Sequence, residues 1–149
     1  MSVEENKALL RRVFEEGWNV GNLDLFDETD SPEYVLHDPS VPEDVRGVEG
    51  AKQFASMYLR AFPDLRFTIE EQVAEGDKVV TRWTSSATHQ GELMGIPATG
   101  NRTGVSGITI SRISEGKLVE DWNNWDTLGL MRQLGVIPER EQSEEASPT

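Results

Sequence analysis

The chain contains no cysteine, which excludes a disulfide framework, a thiol nucleophile and a zinc ribbon. Lysine is scarce, with Lys7, Lys52, Lys78 and Lys117 set against ten arginines. Histidine is scarcer, and the spacing of His37 and His89 gives no compact metal-ligand pattern. No metal is expected. No apolar run approaches the roughly 20 residues of a membrane-spanning helix, so no membrane partner is expected. Met1 to Lys7 is acidic where a secretory signal would be basic, and no apolar core follows it. The expected compartment is therefore the cytoplasm.

Positive charge is also short, with 14 Lys and Arg against 27 Asp and Glu for a net charge of -13. Such a surface repels phosphate backbones, and no basic stripe offsets it, which excludes a nucleic-acid partner. The same acid-rich, lysine-poor surface would also suit a high-salt cytoplasm, where self-repulsion is screened. What is present is ordinary globular material, 149 residues of which 36% are hydrophobic. That length supports one core, not two. A single domain is expected over residues 1–137. Residues 138–149, where glutamates sit among Ser, Ala and Pro, read as an acidic disordered tail.

Helical periodicity comes first along the chain. Leu10, Val13, Phe14 and Trp18 share one face of a segment running from Val3 to Trp18. A short helical turn follows over 22–27, then an extended piece and loop holding Tyr34, His37 and Asp38. A second helix is expected over 48–61, its stripe formed by Ala51, Phe54, Ala55, Tyr58 and Phe62, with Pro63 ending it. After Pro63 the period becomes two. Strands are expected over 65–73, 79–89, 103–113 and 118–126, and a short helix over 127–133. Helices and strands segregated in this way indicate an α+β architecture. A long twisted meander under helices bends into a cone, with a hydrophobic pocket between the layers.

Three separated stretches carry a resemblance. They are Tyr34 to Gly50, with His37, Pro39, Gly47 and Gly50; Thr88 to Gly100; and Gly116-Lys117-Leu118-Val119-Glu120-Asp121-Trp122-Asn123-Asn124-Trp125-Asp126 with Leu128-Gly129-Leu130 after it. On these the chain resembles the SnoaL-like polyketide (ester) cyclases of the nuclear-transport-factor-2-like superfamily. The resemblance implies a curved mixed sheet wrapped over N-terminal helices, and a homodimer paired through the sheet's outer face. It also implies cofactor-independent acid/base catalysis, an intramolecular aldol closure on an aromatic or hydrophobic carbonyl substrate with an aspartate as acid/base. One strand departs from that pattern, because residues 103–113 contain no histidine to face the aspartate.

The resemblance assigns the catalytic aspartate to Asp126, at the close of the tryptophan-to-aspartate motif. Alternation puts Asp126 on one strand face with Trp122 and Asn124, and that face is expected to meet the pocket, leaving Trp125 for the dimer side. Asp126 also stands where it would N-cap the closing helix, and the two roles are compatible. His37 matches the family's early histidine-proline motif and is the expected catalytic partner; the competing reading ties it to Asp38 within a loop. Trp18, Phe54, Tyr58, Trp83, His89, Trp122 and Asn124 are the expected substrate-binding residues. Two other function classes stand beside the cyclase. One is a non-catalytic small-molecule binding protein on the same fold. The other is a further superfamily enzyme, an isomerase, a dehydratase or an epoxide hydrolase, the last needing an Asp-Arg-Asp relay from Arg82, Arg112 and Asp126. The pocket's content separates them: a carboxylate in an apolar cavity favours an enzyme, and a wholly apolar cavity favours a binder.

Overall fold

The first helix starts on a capping box. In the computed structural model, which describes residues 2–138, Ser2 accepts from the Glu5 amide while the Glu5 carboxylate accepts from the Ser2 amide. The expected tail over 138–149 lies outside the described residues apart from Pro138. Helix α1 (Val3–Arg12) buries Asn6 and Leu10 and continues into a π-helical turn, Val13–Trp18. The wider turn is fixed at its end by Asn19, whose side chain donates to the Phe67 carbonyl at 2.9 Å and accepts from its amide at 2.7 Å. A 3-10 turn (Leu23–Leu25) leads into α2 (Phe26–Thr29). Helix α3 (Gly47–Ala61) buries Ala51, Ala55, Tyr58 and Ala61, and it ends before Pro63 as expected. Helix α4 (Thr127–Gln133) closes the fold. None of these helices is long and apolar enough to cross a membrane.

The strands are β1 (Asp30–His37), β2 (Val45–Arg46), β3 (Arg66–Glu75), β4 (Lys78–Thr88), β5 (Arg102–Ser114) and β6 (Lys117–Trp125). They form one six-stranded mixed sheet in the order β2-β1-β6-β5-β4-β3. The meander from β3 to β6 follows the sequence expectation. The extended piece after residue 30 does more than expected, pairing in parallel with β6 and carrying β2 on its other edge. Parallel partners need a long crossover, and here everything from β2 to β5 separates them.

The architecture is α+β, with helices packed on one face of a curved sheet. Leu10, Phe14 and Phe26 meet Val79, Trp83, Ile113 and Leu118 in the main apolar cluster. A second cluster joins Tyr58, Ala61 and Phe62 to Ala87, Leu93, Leu130 and Leu134. There the loop after β4 is tied to the end of α3, with the Gln90 and Gly91 amides both donating to the Ala61 carbonyl. Gly107, on the inner face of β5, has no room for a side chain. A Cβ there would run into the Trp83 ring and come within 2.7 Å of Trp125 Cβ. Gly107→Ala should therefore destabilise the fold by about 1–3 kcal/mol, the usual cost of overpacking, measured by urea unfolding. Loss of native Trp83 and Trp125 fluorescence should accompany it.

Candidate active site

The cavity lies between the helices and the inner face of the sheet. Aromatic side chains dominate its wall: Phe14 and Trp18 from the first helix, Phe54 and Tyr58 from α3, Phe67 from β3, Trp83 from β4 and Trp125 from β6. These rings pack edge to face, with Phe67 5.3 Å from Trp18 and 5.0 Å from Trp83. The polar groups in the wall include Asp30, Asp38, Asp121, Asn123 and Thr109.

Asp38 sits at the end of β1, on the side of the strand that carries Tyr34 and Leu36 into the core. Its neighbours all donate. Oδ1 accepts from the Ser40 amide at 2.8 Å and the Ser40 hydroxyl at 2.6 Å, and Oδ2 from Asn123 Nδ2 at 2.8 Å. The Trp125 indole N–H is shared between the two oxygens at 3.3 and 3.1 Å. Two of these donors, Asn123 and the Ser40 hydroxyl, are fixed from behind. Trp83 donates to Thr109 at 3.0 Å, and Thr109 donates to Asn123 Oδ1 at 2.7 Å, which turns the amide nitrogen towards Asp38. Tyr58 donates to Ser40 at 2.7 Å, and burial pushes its phenol up to about 12.

A second acidic group lies farther along β6. Asp121 accepts from Tyr34 at 2.7 Å and from Ser111 at 2.5 Å. Burial raises its carboxyl to about 6, against the lowering effect of those two hydroxyls. Asp30, bonded by Thr29 at 2.9 Å, is raised to about 7, again chiefly by burial. Burial and the adjacent carboxylates hold the Tyr34 phenol well above its ordinary range.

The structure separates the expected site residues. Trp18, Phe54, Tyr58 and Trp83 line the cavity. Asp126, His37, His89, Trp122 and Asn124 do not, and the expectation that they meet there is corrected. The reason for the β6 residues is a bulge. Arg112 pairs with Glu120 but Ile113 pairs with Leu118, so Val119 is an extra residue. Leu118 and Asp121 consequently both face inward, although they are three positions apart. Asp121, Asn123 and Trp125 then form the inner row, and Trp122, Asn124 and Asp126 lie outside it. Asp126 is exposed and caps α4, accepting from the Gly129 amide at 2.8 Å.

His37 also points outward, because the inward positions of β1 are Tyr34 and Leu36. It stacks on Trp122 with ring centres 5.7 Å apart. Its Nε2 lies 2.6 Å from Glu120 and its Nδ1 3.0 Å from Asp44. The Glu120 hydrogen bond is the main reason its pKa is raised. His89 is buried against Phe62, and its Nδ1 accepts from the Thr99 amide at 3.2 Å. It fastens the 91–101 loop. Arg82 and Arg112 pair with Glu71 and Glu120, and among the described residues no arginine lines the cavity, so the candidate Asp-Arg-Asp relay from Arg82, Arg112 and Asp126 is not assembled. Sequence reasoning missed Asp38, Asp121, Asn123 and Trp125 as cavity residues. Alternation from Tyr34 and Leu36 could have found Asp38, but nothing in the sequence marks the bulge.

A curved sheet under helices, with an aromatic cavity holding a few fixed polar groups, defines a pocket protein of the nuclear-transport-factor-2-like type. A family model described as SnoaL-like polyketide cyclase matches residues 8–134. The chain is 32% identical over 139 residues to the aklanonic acid methyl ester cyclase DauD of Streptomyces sp. (strain C5), covering 85% of this chain and 80% of that protein. It is 33% identical over 134 residues to the aklanonic acid methyl ester cyclase DnrD of Streptomyces peucetius, covering 85% and 88%. Among solved structures, TsrD from Streptomyces laurentii superposes with a TM-score of 0.81 at 34% identity, covering 92% of this chain and 99% of that one. The chain belongs to the SnoaL-like polyketide cyclase family.

The raised carboxyls make stability depend on pH. Unfolded aspartates titrate near 4, whereas Asp121 and Asp30 hold their protons to about 6 and 7 in the folded chain. The folded state thus binds more protons between those limits. This contribution is complete below about pH 4 and is lost as pH rises through 6–7. Asp121→Asn, which keeps the group neutral, should raise Tm relative to the wild type at pH 8. It should give no such gain at pH 4.5, as read by thermal melts at both pH values.

Proposed function

We propose that this protein is a cofactor-independent cyclase-type acid/base catalyst that closes a ring within a hydrophobic, aromatic polyketide ester, with Asp38 as the proton-transfer group. The observation that supports this reading is a single arrangement: a carboxylate placed by four side-chain and backbone donors in the wall of an aromatic cavity. A cavity for passive binding of an apolar molecule has no need of a buried carboxylate, whose desolvation is costly. Trp18, Phe54, Tyr58 and Trp83 would bracket the flat substrate, and Asn123 and Trp125 would hold Asp38 in position.

The step balances without an outside reagent. The Asp38 carboxylate takes the proton from the carbon next to the ester carbonyl, and the resulting enolate attacks a ketone of the same molecule. A carbon–carbon bond forms as the ketone π bond breaks, and the alkoxide recovers the proton from the Asp38 carboxyl. Product and substrate are isomers. The Trp125 contact is the longest of the four and is divided between both oxygens. It is therefore the donor an incoming substrate displaces at least cost.

The outer face of the sheet suits a second copy of the chain. Val73, Val80, Ile110 and Trp122 lie in register across β3, β4, β5 and β6, with His37 stacked at the end of the row. Ile110 and Val73 are exposed. The working form is taken to be a cytoplasmic homodimer, and light scattering at micromolar concentration should return twice the chain mass. Trp122→Asp should shift it to the monomer.

Turnover tests the chemistry. With an aromatic polyketide methyl ester that the wild type cyclises, Asp38→Asn should lower kcat by about 100-fold or more, the lower range for a lost general base. Asp126→Asn, on the outside of the fold, should retain wild-type turnover. Full activity in Asp38→Asn, or an equal loss in Asp126→Asn, would refute this assignment.

A further inference from the structure

The mechanism above uses one end of the cavity wall and leaves its other acidic group without a task. Asp121 and Asn123 are successive inward residues of β6, so Asp121 lies about 7 Å along the strand from the Asp38 anchor. Asp30 sits beside it at the start of β1, opposite Leu118 across the parallel pair. Asp30, Tyr34 and Asp121 all line the cavity.

The hydrogen-bond inventory at this end does not close. An ionised carboxylate offers about four acceptor sites. The Tyr34 and Ser111 hydroxyls are both spent on Asp121. Asp30 is 3% exposed, and among the described residues only Thr29 Oγ1 donates to its side chain, at Oδ1. Its Oδ2 has no donor among them. Among the described residues, no Lys or Arg forms an ion pair with Asp30 or Asp121. Lys117, whose charge acts on Asp30 at a distance, donates instead to the Glu28 carbonyl at 2.7 Å. This oxygen is not sealed into the core: Asp30 lines the cavity, where the donor the protein does not provide can come from a bound molecule.

We propose that Asp30, with Tyr34 and Asp121, forms a second polar subsite of the cavity that accepts a hydrogen bond from an aromatic or enolic hydroxyl at the far end of the substrate. This rests on the reading that the cavity takes an aromatic polyketide, and it narrows that class to molecules carrying a hydroxyl remote from the reacting carbonyl. A hydroxyl suits the site better than an ammonium. Burial leaves these carboxyls partly protonated near neutral pH, so the pair does not present the two full charges that would hold a desolvated cation. A hydroxyl can donate to the open Asp30 oxygen and still accept from a carboxyl proton. The subsite fixes which end of the substrate enters first, so it determines specificity and does not itself perform the chemistry.

Binding measured directly tests this apart from turnover. Calorimetric titration of the full-length protein at pH 7 with 2-naphthol, naphthalene and 2-naphthylammonium analogues supplies the comparison. The wild type should bind 2-naphthol at least about tenfold more tightly than naphthalene, the order of one hydrogen bond to a buried acidic group. A permanently charged trimethyl(2-naphthyl)ammonium should bind no better than naphthalene. Asp30→Asn should bring the 2-naphthol preference close to unity while leaving naphthalene affinity unchanged, and Asp121→Asn should reduce it in the same direction. Equal wild-type affinity for 2-naphthol and naphthalene overturns the subsite, as does a preference for the ammonium or no saturable binding of any probe. The wild-type comparison decides the matter even where a variant fails to fold. Loss of turnover in Asp38→Asn with an intact 2-naphthol preference separates this subsite from the catalytic assignment.

Discussion

A carboxylate placed inside an aromatic wall has to be surrounded by donors, because an unpaired charge there would cost several kcal/mol. Asp38 imposes that condition on much of the fold. One line of donors runs through Trp83, Thr109 and Asn123, linking β4, β5 and β6 to the end of β1. Another runs from Tyr58 on α3 through Ser40. Each side chain in these lines has its hydrogen bonds pointing one way, so the orientation of the Asn123 amide is fixed by its neighbours. Removing any member leaves a buried polar atom unmet.

The helices and the sheet contribute to the site in different ways. The sheet supplies its polar groups, on the inward positions of β1 and β6. The helices supply most of the apolar roof, through Leu10, Phe14, Trp18, Phe54 and Tyr58. The parallel pairing of β1 with β6 is what unites the polar groups. It brings Asp38, more than eighty positions away in sequence, onto Asn123 and Trp125. The outer surface of the same strands carries a separate network in which His37, Glu120, Arg112 and Asp44 neutralise one another around Trp122. Two chemically distinct faces therefore share two strands.

Most of the element order was legible from period and punctuation. The shift from helical to alternating spacing at Pro63, the glycine turns between strands and the apolar stripe of α3 all correspond to observed elements. The aromatic wall was partly legible as well, since Trp18, Phe54, Tyr58 and Trp83 lie on the apolar faces of their elements. The polar half of the site was harder to read. In β6 the alternation is plain in the sequence but does not say which row faces inward. The assignment of Asp126 selects Trp122 and Asn124, whereas the inward row is Asp121, Asn123 and Trp125, set off from Leu118 by a bulge. His37 and Asp38 are adjacent, and strand geometry sends them to opposite sides of the sheet.

The sequence by itself determined the α+β order, the acidic surface and the supply of aromatic side chains for a core, because these follow from composition and from local periodicity. It also carried the family resemblance in three separated motifs. Only the tertiary structure decided which carboxylates enter the cavity. That choice depends on strand pairing and on a bulge, and the energies that set them come from packing and hydrogen bonds between residues distant along the chain. Local pattern fixes where a strand lies; the pairing partner fixes which of its two faces is buried.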